Sequence, residues 1–129
     1  MKDKIEAVKQ FHEAFDLGYN IKPTANLEFD KKELRYKLMR EENEEYREAA
    51  KQNDMVEIAD ALGDMLYVLC GTIIEHGMQD IIDEVFEEIH RSNMSKLGAD
   101  GKPIYREDGK VMRGKNYFKP SLKPIVENH

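Results

Sequence analysis

The sequence predicts an all-α protein with a four-helix-bundle-like core and a short β-hairpin in its C-terminal tail. Apolar residues recur at helical spacing in four successive segments, and a content of 40% hydrophobic and 36% charged residues suits long amphipathic helices. The helical period disappears from residue 97 onward. We therefore expect a single domain over residues 1–129, with a helical core at 1–96 and a basic, extended or hairpin tail at 97–129.

The first two predicted helices are separated by a loop. Apolar residues that repeat every three to four positions predict helix one over residues 3–17, and Gly18 ends it. The stretch that follows contains proline and asparagine and has the residue types of a loop. Asp30 and Glu33 stand at capping-box spacing, which predicts that helix two begins there and covers about residues 31–51.

Helices three and four follow after a short turn. Asp54 and Glu57 form a second capping-box analogue and open helix three. Gly77 fits the C′ position, just past the end of that helix. Helix four begins near Asp80 on a further apolar repeat and ends between residues 92 and 96. These two helices complete the predicted core.

The tail has a different pattern. Asp108 and Gly109 lie between two short segments that contain apolar residues, which is a signal for a β-hairpin. Pro120 and Pro124 predict that the last residues remain extended.

The charge is spread unevenly along the chain. The net charge of −6 argues against a nucleic-acid polymer as partner. Residues 1–96 contain 13 Lys and Arg against 22 Asp and Glu, whereas residues 97–129 contain 7 against 4. An acidic body followed by a basic tail suits a metal site combined with an anion-binding segment.

Other sequence features argue against secretion and membrane insertion. The N-terminus lacks the continuous apolar core of a signal peptide. The most apolar segment contains two acidic residues, which argues against a membrane span. The single Cys70 cannot form an internal disulfide, and we predict a buried thiol. We therefore expect a cytoplasmic protein that has no contact with a membrane.

Helix three carries two carboxylates where none is expected. Asp60 and Asp64 are the only acidic residues in the otherwise apolar segment Ile58–Ile74. Residues four apart lie about 40° apart around a helix, so both side chains share one face. Burial of an unpaired carboxylate costs several kcal/mol, so the pair needs a counter-charge. A bound divalent metal ion would supply it.

The turn near Asn53 determines which acids meet. In an antiparallel hairpin centred there, Glu45 lies level with Asp60, and Glu42 lies level with Asp64. Four carboxylates from two helices would then converge. An all-oxygen cluster suits Mg²⁺ or Mn²⁺ and does not suit zinc, which prefers His and Cys.

Glu57 allows two interpretations. It lies seven residues before Asp64 and shares its helix face, so it is a candidate ligand or catalytic base. It is also the last residue of the capping box that Asp54 opens.

These acids carry a resemblance to a known family. Glu41-Glu42-Asn-Glu-Glu45 resembles the Glu-Glu-x-x-Glu motif of the all-α nucleoside triphosphate pyrophosphohydrolases. This group includes MazG-like proteins, phosphoribosyl-ATP pyrophosphohydrolases and dimeric dUTPases. The family's second motif, Glu-x-x-Asp, has two possible registers here, since Ala61 stands where a glutamate is common. In the first, Asp60 replaces that glutamate and pairs with Asp64; in the second, Glu57-Ile-Ala-Asp60 is the motif.

The resemblance continues toward the C-terminus. Asn93-Met-Ser-Lys96 looks like the family's Asn-x-x-Lys element, which contacts the nucleotide and its phosphates. The tail from Asp108 to Tyr117 resembles that of the phosphoribosyl-ATP pyrophosphohydrolase-like branch. The resemblance implies that lysines hold the β- and γ-phosphates and that Tyr117 either stacks on the base or packs in the fold. The implied substrate-binding residues are Asn93, Lys96, Lys110, Lys115 and Tyr117.

The implied reaction is nucleoside triphosphate plus water giving the monophosphate and pyrophosphate. The implied metal ligands of Mg²⁺ or Mn²⁺ are Glu42, Glu45, Asp60 and Asp64. A spare carboxylate, Glu41 or Glu57, would accept the proton of the attacking water. The expected substrates are non-standard or deoxynucleoside triphosphates, which the enzyme would remove as a house-cleaning activity.

Two alternatives remain open. One is phosphoribosyl-ATP pyrophosphohydrolase of histidine biosynthesis. The basic tail argues against it, because that compact enzyme does not need an additional nucleotide-binding element. The other is a non-catalytic helical interaction protein whose acids form salt bridges between helices. In that case the partners of Asp60 and Asp64 would come from the basic residues of helix two, namely Arg35, Lys37, Arg40 and Arg47.

Helix three also predicts self-association. It is apolar on more sides than one hairpin partner covers, and helices one and four supply only part of the remaining contacts. We expect a second subunit to cover the rest, in a homodimer or a dimer of dimers, as the resemblance also implies.

Overall fold

The computed structural model describes residues 1–128, and its regular secondary structure is helical throughout. The all-α prediction is therefore confirmed for this part of the chain. The helices are α1 (Lys2–Ala14), α2 (Phe29–Lys51), α3 (Met55–Glu75), α4 (Ile82–Met94) and α5 (Lys123–Glu127).

The helices belong to two compact units. The first unit comprises Met1–Asp80 and contains α1, α2 and α3; the second begins at Ile81 and contains α4, the tail and α5. The boundary therefore falls before α4 and not at residue 97, where the sequence changes character. Since α4 lies in the second unit, the four-helix-bundle-like core and the single domain remain predictions.

In the first unit, α2 and α3 form a helical hairpin, and α1 packs against α3. The turn between α2 and α3 is short, and Asn53 adopts a left-handed conformation there with φ of 54°. Asn tolerates this conformation better than most residues. The N–H of Asp54 then donates to the carbonyl of Ala49 at 3.1 Å, which closes the turn. The turn predicted around Asn53 is confirmed.

The core of the first unit lies where α3 meets the other two helices. Cys70 is 1% exposed, so the predicted buried thiol is confirmed, and burial raises the pKa of this thiol. His12 of α1 is also buried, and its Nδ1 lies 3.0 Å from the carbonyl oxygen of Gly18. The other buried apolar residues of this unit are Ile5, Val8, Leu27, Ala49, Ala61, Ile73 and Ile74.

The two predicted capping boxes have different outcomes. Asp54 caps α3 as expected, because its carboxylate accepts a hydrogen bond from the N–H of Glu57 at 3.2 Å. The box predicted at Asp30 and Glu33 is wrong. Helix α2 already begins at Phe29, and Glu28 occupies the N-cap position without a side-chain hydrogen bond.

Gly77 ends α3 in a Schellman motif, as predicted. Its φ is 68°; its N–H donates to Ile74 at 3.0 Å, and the N–H of Met78 donates to Ile73 at 2.9 Å. A Cβ at this position would lie 2.0 Å from the carbonyl oxygen of Lys22. Glycine is thus required both by the backbone conformation and by the close approach of the preceding loop.

Gly77→Ala is expected to lower the free energy of unfolding by about 2–4 kcal/mol, since a left-handed alanine and a backbone clash are combined. Urea denaturation measures the loss. Gly101→Ala is the matched control, because Gly101 has a φ of 76° but nothing within 4 Å of a new Cβ. It should lose only about 1 kcal/mol. Equal losses in the two variants would show that the contact with Lys22 is unimportant.

The predicted β-hairpin of the tail is not seen as a pair of strands. Within residues 1–128 the only β-type pairing is one isolated antiparallel bridge, between Tyr105 and Val111. Gly109 adopts a φ of 86° in the turn, so the reversal lies where the sequence placed it. Both bridging residues are exposed, so there is no buried face to stabilise a longer ladder.

The extended end predicted from Pro120 and Pro124 is also wrong at the second proline. Helix α5 begins at Lys123 and carries Pro124 in its first turn. A proline there loses no helical hydrogen bond, because the first N–H groups of a helix have no partner within it.

The tail folds back onto the end of α4 in the second unit. The hydroxyl of buried Ser92 donates to the carbonyl of Phe118 at 2.8 Å, and the N–H of Gly114 donates to the carbonyl of Lys96 at 2.8 Å. The N–H of Ser121 donates to Glu88 at 2.7 Å. Among the helices of residues 1–128, none is both long enough and apolar enough to cross a membrane.

Candidate active site

The facing sides of α2 and α3 bring three of the predicted metal ligands together. Glu42 and Glu45 of α2 and Asp64 of α3 each offer one carboxylate oxygen, and these oxygens lie within 4.8 Å of one another. We call these three residues the carboxylate cluster. Glu42 and Glu45 meet Asp64 because residues three apart share a helix face and the short turn sets the two helices level.

Asp60 lies beside the cluster, not within it. It lines a cavity of about 370 Å³ together with Glu45 and Glu57, toward the turn that joins the helices. Its charge nevertheless acts on the cluster, since it contributes to the raised pKa of Glu42. The remaining residues that line this cavity are Glu48, Ala49 and Gln52.

Glu42 is the member of the cluster whose carboxylate is most affected by burial and by the neighbouring charges. Its Oε2 atom is buried and has no hydrogen-bond partner among the described residues. Burial raises the pKa of Glu42 to about 7, with further contributions from Glu45, Asp64 and Asp60 in that order. An unpartnered buried oxygen among other carboxylates is an arrangement that a bound cation would stabilise.

No basic side chain of residues 1–128 supplies this counter-charge. Arg35 pairs with Glu75 at 3.0 Å, and Arg40 pairs with Glu44 at 3.7 Å. Across residues 1–128, no Lys, Arg or His nitrogen lies within 4.0 Å of the cluster carboxylates or of Asp60. The interhelical salt bridges that a non-catalytic interaction protein would require at this position are therefore absent from the described structure.

The two candidate catalytic bases differ in position. The backbone of Glu57 takes part in the α3 cap, but the N–H of Asp54 bonds to Ala49, so the reciprocal half of a capping box is not formed. Glu57 also lines the same cavity as Asp60. Glu41 is exposed on α2 and does not line that cavity.

The second unit contains a basic cavity of about 400 Å³. Lys96 and Lys110, both predicted to bind phosphate, line it together with Arg106 and Arg113. No motif in the sequence singled out these two arginines. The signal available was their spacing on either side of Gly109, since residues flanking a reversal come to lie side by side.

The other predicted substrate residues are not among those that line the basic cavity. Lys115 and Asn93 are exposed, and the Tyr117 ring lies under the guanidinium of Arg113 at 4.6 Å. Tyr117 thus has a packing role in the structure, through a cation–π contact.

The carboxylate cluster fits a hard divalent cation. Its donors are all carboxylate oxygens, the ligands that Mg²⁺ and Mn²⁺ prefer, and one of them is buried without a partner. Within residues 1–128 the cluster contains no His or Cys that would favour zinc.

A helical hairpin with carboxylates converging from both helices is typical of the all-α nucleotide pyrophosphohydrolases. A family model described as phosphoribosyl-ATP pyrophosphohydrolase matches residues 8–93, which cover the second half of α1, all of α2 and α3, and nearly all of α4. The chain belongs to this family, and with it to the all-α superfamily, and it is a pyrophosphohydrolase.

A solved structure also matches the chain. It is a candidate NTP pyrophosphohydrolase from Exiguobacterium sp. 255-15, whose crystal structure was determined at 1.78 Å resolution. The two chains are 29% identical over 97% of this chain and 92% of the other, with a TM-score of 0.48. Curated proteins give no significant match.

The raised pKa of Glu42 predicts how metal affinity depends on pH. Below about pH 7 the ion must displace a proton from Glu42, so Mg²⁺ affinity should fall about tenfold per pH unit. In the metal-free protein, stability depends on pH in the opposite direction. Because the pKa of Glu42 is raised from 4.5 to about 7 in the folded state, this group contributes stability that is fully present below pH 4.5 and is lost as the pH rises through 7. Calorimetric titration and thermal unfolding at pH 5.5 and 8 measure both effects. Glu42→Gln should remove the second.

Proposed function

We propose that this protein is a divalent-metal-dependent nucleoside triphosphate pyrophosphohydrolase that converts (d)NTP and water into (d)NMP and pyrophosphate. The observation that carries the proposal is the carboxylate cluster, in which Glu42 has a buried oxygen without a hydrogen-bond partner in residues 1–128. Membership of a pyrophosphohydrolase family supports the reaction type. The preferred substrates in this proposal are non-standard or deoxynucleoside triphosphates.

The acidic side chains of the hairpin would hold the metal. Glu42, Glu45 and Asp64 are the inner ligands in this proposal, and Asp60 completes the set from the adjoining cavity. When bound, Mg²⁺ or Mn²⁺ neutralises phosphate charge and lowers the pKa of water. Glu57 is the better placed of the two bases, because it lines the same cavity as Asp60 and Glu41 does not. Glu41 remains the alternative base.

The basic residues of the second unit would bind the anionic part of the substrate. Lys96 and Lys110 share a cavity with two arginines, which supports a phosphate-binding role. Lys115, Asn93 and Tyr117 are proposed as further substrate contacts, with the Tyr117 ring held by its contact with Arg113. The proposal also includes a cytoplasmic location, which the single buried cysteine supports.

Phosphoribosyl-ATP is the second candidate substrate. The family model that matches the chain is described by that substrate, which favours it. The match ends at residue 93, and the basic cavity lies wholly in the segment that follows it. Phosphoribosyl-ATP carries the same triphosphate as a nucleoside triphosphate, so this anion-binding segment suits either substrate.

A substrate panel tests the proposal. The protein is incubated with Mg²⁺ and standard NTPs, dNTPs, non-standard triphosphates and phosphoribosyl-ATP, and pyrophosphate release is measured. Release from a triphosphate is expected, and release from phosphoribosyl-ATP alone would favour the second candidate. No release from any substrate, with no thermal shift on adding Mg²⁺ or Mn²⁺, would contradict the enzyme proposal.

The proposed enzyme is a homodimer or a dimer of dimers. Leu62 and Leu69 of α3 are 50% and 45% exposed, and Leu69 also lines an apolar cavity of about 210 Å³ together with Met39 and Met65. Such a face favours contact with a second copy. Light scattering should give two or four times the 15.1 kDa chain mass. Leu62→Lys combined with Leu69→Lys should shift the protein toward monomer, whereas a wild-type monomer would refute this assembly.

A further inference from the structure

We propose that the buried ion pair of Arg35 and Glu75 is a positioning pair. It fixes the register of α2 against α3 and so holds the carboxylate cluster together against its own repulsion. This inference rests on the proposed metal-binding function of the cluster. Neither residue touches the cluster, and the family resemblance assigns no role to either.

The contacts of Arg35 all reach from α2 to α3. Its Nη1 lies 3.0 Å from Oε2 of Glu75, its Nε donates to Oγ1 of Thr72 at 3.1 Å, and its Nη2 donates to the carbonyl of Val68 at 2.8 Å. The side chains of the pair are only 8% and 6% exposed. These three partners occupy successive turns of α3, so the planar guanidinium fixes both the axial position and the rotation of the helix.

Helix α3 has a glycine, Gly71, at the point where the guanidinium of Arg35 lies against it. A Cβ on Gly71 would be 2.6 Å from Nη2 of Arg35 and 3.0 Å from Nε2 of His12. Gly71 therefore lets the arginine head lie directly on the α3 backbone. Glycine in a helix interior is unfavourable by about 1 kcal/mol relative to alanine, so Gly71 makes room for the guanidinium but weakens α3 locally.

The pair and the cluster lie on the same seam between the helices. Arg35 precedes Glu42 by two helical turns, about 10 Å along α2. At the cluster, like charges push the helices apart, and Glu42 Oε2 has no partner to oppose this. The contacts of Arg35 with α3 oppose this repulsion, because they hold the two helices together. They lie on the side of the cluster that faces away from the turn.

A role in stability alone does not account for the pair. Buried ion pairs are often no more stabilising than apolar residues of the same volume, whereas fixing register is their best-attested use. The stabilising role and the positioning role can therefore be separated by experiment. If both residues are replaced by apolar ones, the protein should still fold, but the register of α2 against α3 should no longer be fixed.

The test is the double variant Arg35→Met with Glu75→Met. Its expected melting temperature is close to that of the wild type, with Mg²⁺ affinity about tenfold lower by calorimetric titration. Nitroxide labels at Asn43→Cys and Ala59→Cys, both exposed and on opposite helices, report the helix separation in metal-free protein. Excess unlabelled protein restricts the measurement to pairs within one chain. The distance distribution should broaden in the variant and narrow again with saturating Mg²⁺.

A charge control accompanies this variant. Arg40→Met with Glu44→Met removes an exposed ion pair within α2, so it should leave both Mg²⁺ affinity and distance distribution unchanged. A folded Arg35/Glu75 double variant that matches the wild type in both measurements would overturn the proposal.

A second pair of variants tests the proposal even if that double variant does not fold. Gly71→Ala displaces the guanidinium without altering any charge, and should weaken Mg²⁺ binding about threefold to tenfold and broaden the distances. Gly63→Ala is the matched control on the same helix, since a Cβ there meets nothing within 4 Å. Wild-type behaviour of Gly71→Ala in both measurements would overturn the proposal.

The outcome also separates this inference from the proposed function. If the wild-type protein binds neither Mg²⁺ nor Mn²⁺, the proposed function fails, while the metal-free distances still show whether Arg35 and Glu75 position the helices.

Discussion

Asp64→Asn is expected to lower the turnover number about 10²–10³-fold while the protein remains folded. Asp64 is the α3 member of the carboxylate cluster, so its loss leaves the proposed ion with ligands from α2 only. The variant should not be less stable without metal, because the charge of Asp64 contributes to the raised pKa of Glu42. Pyrophosphate release at saturating Mg²⁺, together with thermal unfolding of the metal-free protein, measures both effects.

Neighbouring variants distinguish the two registers of the acidic motif. If Asp60 and Asp64 form the pair, Asp64→Asn should abolish activity. If Glu57 and Asp60 form it, Glu57→Gln should abolish Mg²⁺ binding as well as activity, and Asp64→Asn should have the smaller effect. Asp60 belongs to both registers, so an Asp60→Asn variant with unchanged turnover would refute both. Glu44→Gln is the control, since Glu44 is exposed and pairs with Arg40.

Arg35→Met alone is expected to lower the free energy of unfolding by about 3–5 kcal/mol, a large fraction of the stability of a small domain. The substitution leaves Glu75 buried, with Lys31 at 3.6 Å as its remaining charged partner. The loss should be visible as a lower midpoint in urea denaturation, with an unchanged slope.

The double variant with Glu75→Met should recover most of this loss, because no buried charge is then left without its partner. Equal destabilisation of the single and double variants would show that packing around Arg35, and not its charge, dominates. No destabilisation in the single variant would show that the carboxylate of Glu75 is protonated or solvated once Arg35 is removed.

Features with local causes could be predicted from the sequence. The cap at Asp54, the turn at Asn53 and the glycine that ends α3 each depend on a few neighbouring residues. The meeting of Glu42 with Asp64 also follows from local geometry, since one short turn and two regular helices determine it. The capping box at Asp30 failed because α2 already begins at Phe29, so that Asp30 lies inside the first turn of the helix and not at its N-cap.

Features that depend on distant partners could not be predicted. Arg35 and Glu75 are 40 positions apart, and nothing near either residue indicates a buried pair. The sequence instead made Arg35 a candidate partner for Asp60 and Asp64. The basic cavity depends in the same way on the folding of the tail onto α4, which places Lys96 beside residues that follow a reversal.

The short turn at Asn53 has a consequence for how the protein folds. All members of the carboxylate cluster lie within one continuous stretch, Glu42–Asp64, so their contacts have low sequence separation. Such contacts form early, since little chain entropy is lost in closing a short loop. Each molecule that folds without metal must therefore bring like charges together near its transition state. A divalent cation present during folding should accelerate folding more than it slows unfolding.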